Sequence, residues 1–164
     1  MTTTAKSHGE RHAPSPPPRL LPLRALLAAS LATLLWTTGC TTTYQADVPL
    51  YKQLGGPDNI RAFTGKALTR VAADPVAGRS FKGIKMPFLI DSVGNYICKV
   101  ADGPCAYEGQ DMHKSHADLN LGGSEFDVLV QTLREEMDAA GVPNGAKNEL
   151  LRRLAPSRSE MVTH

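Results

Sequence analysis

Four side chains between residues 98 and 116 could take part in metal chemistry: Cys98, Cys105, His113 and His116. His116 stands out by its spacing. Met112, His116 and Leu119 fall at i, i+4 and i+7, so at helical period the imidazole occupies a position where a core-facing leucine would otherwise sit. A neutral imidazole in such a place must satisfy both nitrogens, one as donor and one as acceptor. One reading is a core histidine bonded to a backbone carbonyl, since buried polar groups are generally satisfied within the protein. The other commits the second nitrogen to a metal. His113 lies off the apolar stripe, as a solvated flank or a fallback ligand. The four residues can also be written as a two-Cys, two-His zinc set. The cysteines are then spaced more widely than structural zinc sites usually allow, and an oxidised pair could not bind zinc at all.

The third cysteine has a different setting. Residues 1–24 are polar, basic and proline-rich, residues 25–36 form an apolar run, and Thr37-Thr38-Gly39-Cys40 follows. A basic segment, a short apolar core and small residues before a cleavage point describe an export signal. The apolar run is shorter than the roughly 20 residues a membrane-spanning helix needs. Gly39-Cys40 resembles the lipobox of bacterial lipoproteins, with Thr37 where leucine is usual, which implies lipidation at Cys40. Acyl chains would then hold the chain at a membrane surface, each buried methylene adding about 0.8 kcal/mol. The expected location is the periplasmic side of a bacterial membrane. In that oxidising space Cys98 and Cys105 form a candidate disulfide. Closing so short a loop stabilises by about 2.5 kcal/mol on the chain-entropy model.

The elements that must position His116 read as helices. Residues 1–40 are the leader and 41–48 a polar tether. Leu50, Tyr51 and Leu54 make a first helical turn before Gly55-Gly56, and Pro57 suits the start of a helix with Ile60, Phe63, Ala67 and Val71 on one face. Asp74 is placed to cap a short turn ending near Phe81. Pro87 opens a further helix whose stripe is Met86, Leu89, Ile90, Val93, Ile97 and Val100, with Asp91, Ser92, Asn95 and Lys99 opposite. Asp102-Gly103-Pro104 breaks the chain before the His116 helix. Ser124 is placed to cap a long helix carrying Phe126, Leu129, Val130, Leu133 and Met137. After Gly141 a last helix carries Leu150, Leu151 and Leu154. No strand alternation occurs, so the exported part reads as all-α, with a domain over 49–158 and a tail over 159–164.

Large core residues are few in this part: Phe63, Phe81, Phe88, Phe126 and four tyrosines. Small domains bury a low fraction of their surface and often need a metal, a disulfide or a prosthetic group. A large flat apolar cofactor would fill the gap. The leader holds four of the 18 basic residues and one of the 16 acidic ones, so the remainder is close to neutral. It offers no basic patch with interleaved aromatics of the kind that points to nucleic acid.

Taken together, these residues resemble the group I truncated haemoglobins. The markers are Leu50-Tyr51, Leu54-Gly55-Gly56, Asp74, Phe81, Gly103-Pro104, Tyr107 with Gly109, Met112, His116 and Phe126, running in order from about Leu50 to Leu154. The resemblance implies a truncated globin fold, a two-over-two helical sandwich around haem. His116 matches the proximal histidine, which would bind iron through Nε2 and leave Nδ1–H for a nearby carbonyl. Phe81 matches the aromatic that packs on the porphyrin, and Leu89, Val93 and Met112 join it as cofactor contacts. No Cys-x-x-Cys-His occurs, so the cofactor implied is a noncovalently held haem b.

The distal side departs from the family. Leu68 stands where these proteins usually have tyrosine, and Leu89 and Val93 occupy positions that often carry a polar donor. The distal pocket therefore reads as dry, which weakens O2 binding more than NO or CO binding, because bound O2 draws on a hydrogen bond worth about 1–3 kcal/mol. Ser92 replaces a lysine that commonly reaches a haem propionate, with Lys82 or Lys85 as substitutes. The leading expectation is reversible binding of a diatomic gas (O2, NO or CO). The alternatives are haem-dependent NO or peroxide chemistry, for which no distal acid or base is evident, and a globin-like module that has lost haem and serves as a binding protein.

Overall fold

A computed structural model describes residues 44–163. The expected export signal, the candidate lipidation residue Cys40 and the start of the tether lie outside the described residues. The architecture is all-α, as the apolar periodicity requires: α1 (Leu50–Gln53), α2 (Gly56–Ala72), a 3₁₀ turn (Ala77–Phe81), α3 (Met86–Val100), α4 (Met112–His116), α5 (Gly123–Ala139), α6 (Asn144–Leu154) and α7 (Ser157–Met161). The β structure among the described residues is a single bridge between Leu121 and Val162.

Helix α2 is the hub, packing on both α3 and α5. Gly55 and Gly56 take φ of +89° and +83°, which lets the chain turn sharply from α1 into α2. Ile60 and Phe63 of α2 meet Leu50, Leu54, Ile97, Leu133, Met137 and Leu150 in one closed core. Each such side chain contributes about 1.5–3 kcal/mol when fully buried. Cys98 and Cys105 are joined, their Cα atoms 5.8 Å apart, and the bond staples the end of α3 to the loop leading to α4. A Cβ on Gly103 would come within 2.5 Å of the Cys98 sulfur, so glycine there is what allows the loop to close over the bond.

The 3₁₀ turn is capped as expected, with the Asp74 carboxylate accepting from the backbone N–H groups of Val76 and Ala77 at 2.8 Å. Several expectations are corrected. Helix α5 starts at Gly123, before Ser124, because the Glu125 carboxylate takes the Gly122 N–H at 2.8 Å and so does the capping from the third helical position. Phe88 is 79% exposed and supplies nothing to the core, since it shares the outward face of α3 with Asn95 and Lys99. The folded part begins at least at Tyr44, which packs on the core, while the Gln53 side chain holds the backbone of Gln45 and Val48. At the other end, α7 lies beyond the last helix read from the sequence, and Met161 on it is buried. The Thr163 N–H then donates to the Leu121 carbonyl at 3.0 Å, so α7 is returned to a place beside α4.

Candidate functional site

Residues of α2 and α3 beyond the core line a cavity of about 590 Å³ that is also walled by α4, α5 and α7. Leu68, Phe81, Leu89, Val93, Met112 and His116 all line it. The structure thus brings the predicted cofactor and distal residues to one place. His113 is exposed and absent from the lining, as are Lys82 and Lys85; the cations that do line the cavity are Arg134 and Arg158. Ser92 lines it too. A shallower groove over α2 and α3, bounded by Arg61, Lys66, Arg70 and Glu136, contains none of the expected residues.

The His116 segment is a single short helix rather than the long one implied by the i, i+4, i+7 spacing. It ends at His116, and Leu119 reaches the cavity from the turn that follows. Asp111 starts the helix by accepting the Lys114 N–H at 2.8 Å. That bond, first among the causes, together with the nearby Lys114 side chain, holds the Asp111 carboxyl below its usual range. Within the helix, the His116 Nδ1 lies 2.7 Å from the Met112 carbonyl oxygen. A carbonyl can only accept, so Nδ1 carries the proton and Nε2 of the neutral ring keeps its lone pair. Both readings of this histidine therefore meet in one geometry: one nitrogen is satisfied by backbone, and the other is available to a metal.

Two polar fixtures set the walls. Arg79, from the turn that carries Phe81, donates to the Glu125 carboxylate at 2.6 Å and to the Asn120 carbonyl at 2.8 Å. Burial pushes the Glu125 carboxyl up, but Arg79, the Gly122 N–H and Ser80 outweigh it and hold the group below its ordinary value. Phe81 is thereby tied to the start of α5. On the other wall Tyr96 packs edge-on against Tyr107, ring centroids 5.2 Å apart, and its hydroxyl lies 3.1 Å from Ser157 Oγ of α7. Burial, then Tyr96, raises the Tyr107 hydroxyl above its usual range.

The disulfide removes the zinc alternative, because neither Cys98 nor Cys105 has a free thiolate. No group of three metal-binding side chains occurs among the described residues. Other lining residues escape a reading of the sequence. Tyr96 is three residues from Val93 and Thr64 four residues from Leu68, so helical spacing could have found both. Met161 could not have been found, because only the return of α7 brings it in.

Residues 49–163 match the bacterial-like globin family. The group 1 truncated hemoglobin GlbN of Nostoc commune is 31% identical over 93 residues, covering 57% of this chain and 79% of that one. The corresponding protein of Mycolicibacterium paratuberculosis is 26% identical over 114 residues, covering 70% and 84%. Among solved structures, truncated hemoglobin from Tetrahymena pyriformis in its Fe(III) form superposes with a TM-score of 0.66 at 24% identity, covering 70% of this chain and 98% of that one. The 2/2 hemoglobin of Synechococcus sp. PCC 7002, solved with covalently attached heme, gives a TM-score of 0.66 at 20% identity, with coverage of 71% and 100%. With the two-over-two helical fold, the matched residues 49–163 and the similarity to GlbN, the chain belongs to the bacterial-like globin family as a group I truncated globin.

Proposed function

We propose that this globin holds haem b noncovalently in the cavity, with His116 Nε2 as the proximal iron ligand, and binds a diatomic gas reversibly beside Leu68, Leu89 and Val93. The observation that carries this reading is the Nδ1 to Met112 carbonyl contact, which fixes the tautomer and leaves Nε2 unengaged on a cavity-lining ring. The residues present suit the group. The cavity lies within the roughly 300–1,000 Å³ usual for cofactor sites, and its walls are mostly aliphatic and aromatic. Haem held there would supply an iron centre able to bind one small ligand.

The protein's own residues do the rest. The Met112 carbonyl orients the imidazole. Leu68, Leu89 and Val93 give the space beside the ligand an apolar wall, and Phe81, held through Arg79 and Glu125, offers a face for a flat ring. The lining cations Arg134 and Arg158 supply positive charge for the carboxylates of such a group, in place of Lys82 and Lys85. A truncated globin of this kind, carried behind an export signal with a lipobox-like Gly39-Cys40, would work as a lipid-anchored protein on the periplasmic side of a membrane. Replacing Cys40 with Ser should move it from the membrane fraction to the soluble one; unchanged fractionation contradicts the anchor.

Titration of haem into the purified protein tests the binding itself. A Soret band that saturates at one haem per chain, and shifts when the reduced protein is given CO, is the expected result. A spectrum no different from that of free haem overturns it.

A further inference from the structure

The distal cavity is not wholly dry. Thr64 on α2 is 1% exposed, lines the cavity, and its Oγ1 has no hydrogen-bond partner among the described residues. Two other helical threonines resolve the same problem locally: Thr69 donates to the Gly65 carbonyl at 2.7 Å and Thr132 to the Val128 carbonyl at 2.8 Å. Thr64 does not make that i−4 bond. Leaving a buried hydroxyl unmatched is unfavourable, and an isosteric valine would remove the cost without changing the packing. Thr64, Ala67, Leu68 and Val71 occupy i, i+3, i+4 and i+7 of α2 and all line the cavity, so the hydroxyl sits one helical turn from Leu68 on the same face. It therefore lies on the wall where the usual tyrosine has been replaced.

We propose that the Thr64 hydroxyl is the polar contact for a small oxygen-bearing ligand in this cavity, donating to the ligand itself or to one water that bridges to it. This makes Thr64 a specificity-determining residue, favouring ligands that accept a hydrogen bond over those that do not. It rests on the haem-binding reading above.

The test compares haem-loaded wild type with Thr64→Val, which keeps the shape and removes the hydroxyl, and with Thr64→Ser, which keeps the hydroxyl. Loss of one neutral hydrogen bond should speed O2 dissociation about two- to tenfold in the valine variant. The C–O stretch of the reduced CO complex should shift as the nearby dipole is lost, and the serine variant should resemble wild type in both. In the haem-free protein the valine variant should melt higher than wild type. An unchanged O2 dissociation rate with an unchanged C–O stretch overturns the proposal; Thr64→Ala gives the same readout if the valine variant does not fold. A normal Soret band accompanied by those unchanged values defeats only the role of Thr64. Absence of the band in wild type defeats the haem reading and this one with it.

Discussion

Helices α2 and α3 each serve two regions that differ in how they are filled. Toward α1 and α6, Ile60, Phe63 and Ile97 interlock with Leu50, Leu54, Met137 and Leu150 at essentially no exposure, and a disulfide closes the edge. Toward α4 and α7, Leu68, Leu89 and Val93 of the same helices face open space. A close-packed interior tolerates few voids larger than a water molecule, so a cavity of about 590 Å³ in so small a domain is built for an occupant. The contrast teaches that the core end can hold the helices together by itself, while the cavity end gains its packing from what it binds.

Substitutions at the two ends should therefore differ most. Phe63→Ala should cost about 3–5 kcal/mol in urea unfolding of the haem-free protein, whereas Leu68→Ala, beside space already open, should cost about 2 kcal/mol or less. Equal costs would mean that the cavity end collapses without its occupant. Reducing the Cys98–Cys105 bond should lower stability by about 2.5 kcal/mol, and the loss should fall on the loop that delivers His116, visible as faster hydrogen exchange over residues 101–111. Uniform exchange along the chain would separate the staple from the site. The smallest effect concerns pH. Arg152 and then Arg153 hold the Glu149 carboxyl down at about 2, below its unfolded value, so its contribution is present above the unfolded pKa near 4.5 and fades as pH falls toward 2. Arg153 also donates to the Val100 carbonyl and to Asp102, tying α6 to the end of α3. Glu149→Gln should lower Tm at pH 7 and match wild type near pH 2; a difference that persists in acid would assign the effect to packing.

Periodicity in the sequence made most of the helices legible, because local spacing decides which face of a helix is apolar, whereas the gathering of Leu68, Phe81, Leu89, Val93, Met112 and His116 was implied by the resemblance to the truncated haemoglobins. Long-range returns were not legible. Helix α7 and the Thr163 to Leu121 contact bring Met161 and Ser157 to the cavity through pairing more than 35 residues distant, which no local pattern records. Phe88 is exposed despite its hydrophobicity because it shares a helix face with Asn95 and Lys99, a spacing the sequence already contains. The Glu125 cap was missed in favour of Ser124, since both types favour a helix start and only the Gly122 contact separates them. The three matched positions do not reveal the polar content of the cavity, because Thr64 stands one turn away from Leu68.

The bond from His116 to iron is the central claim, and a His116→Gly variant tests it most directly. Imidazole added to the haem-loaded variant should enter the space left by the side chain and restore the wild-type spectrum of the reduced protein and its CO complex. A variant whose spectrum matches wild type without imidazole would contradict the account, because some other residue would then hold the iron.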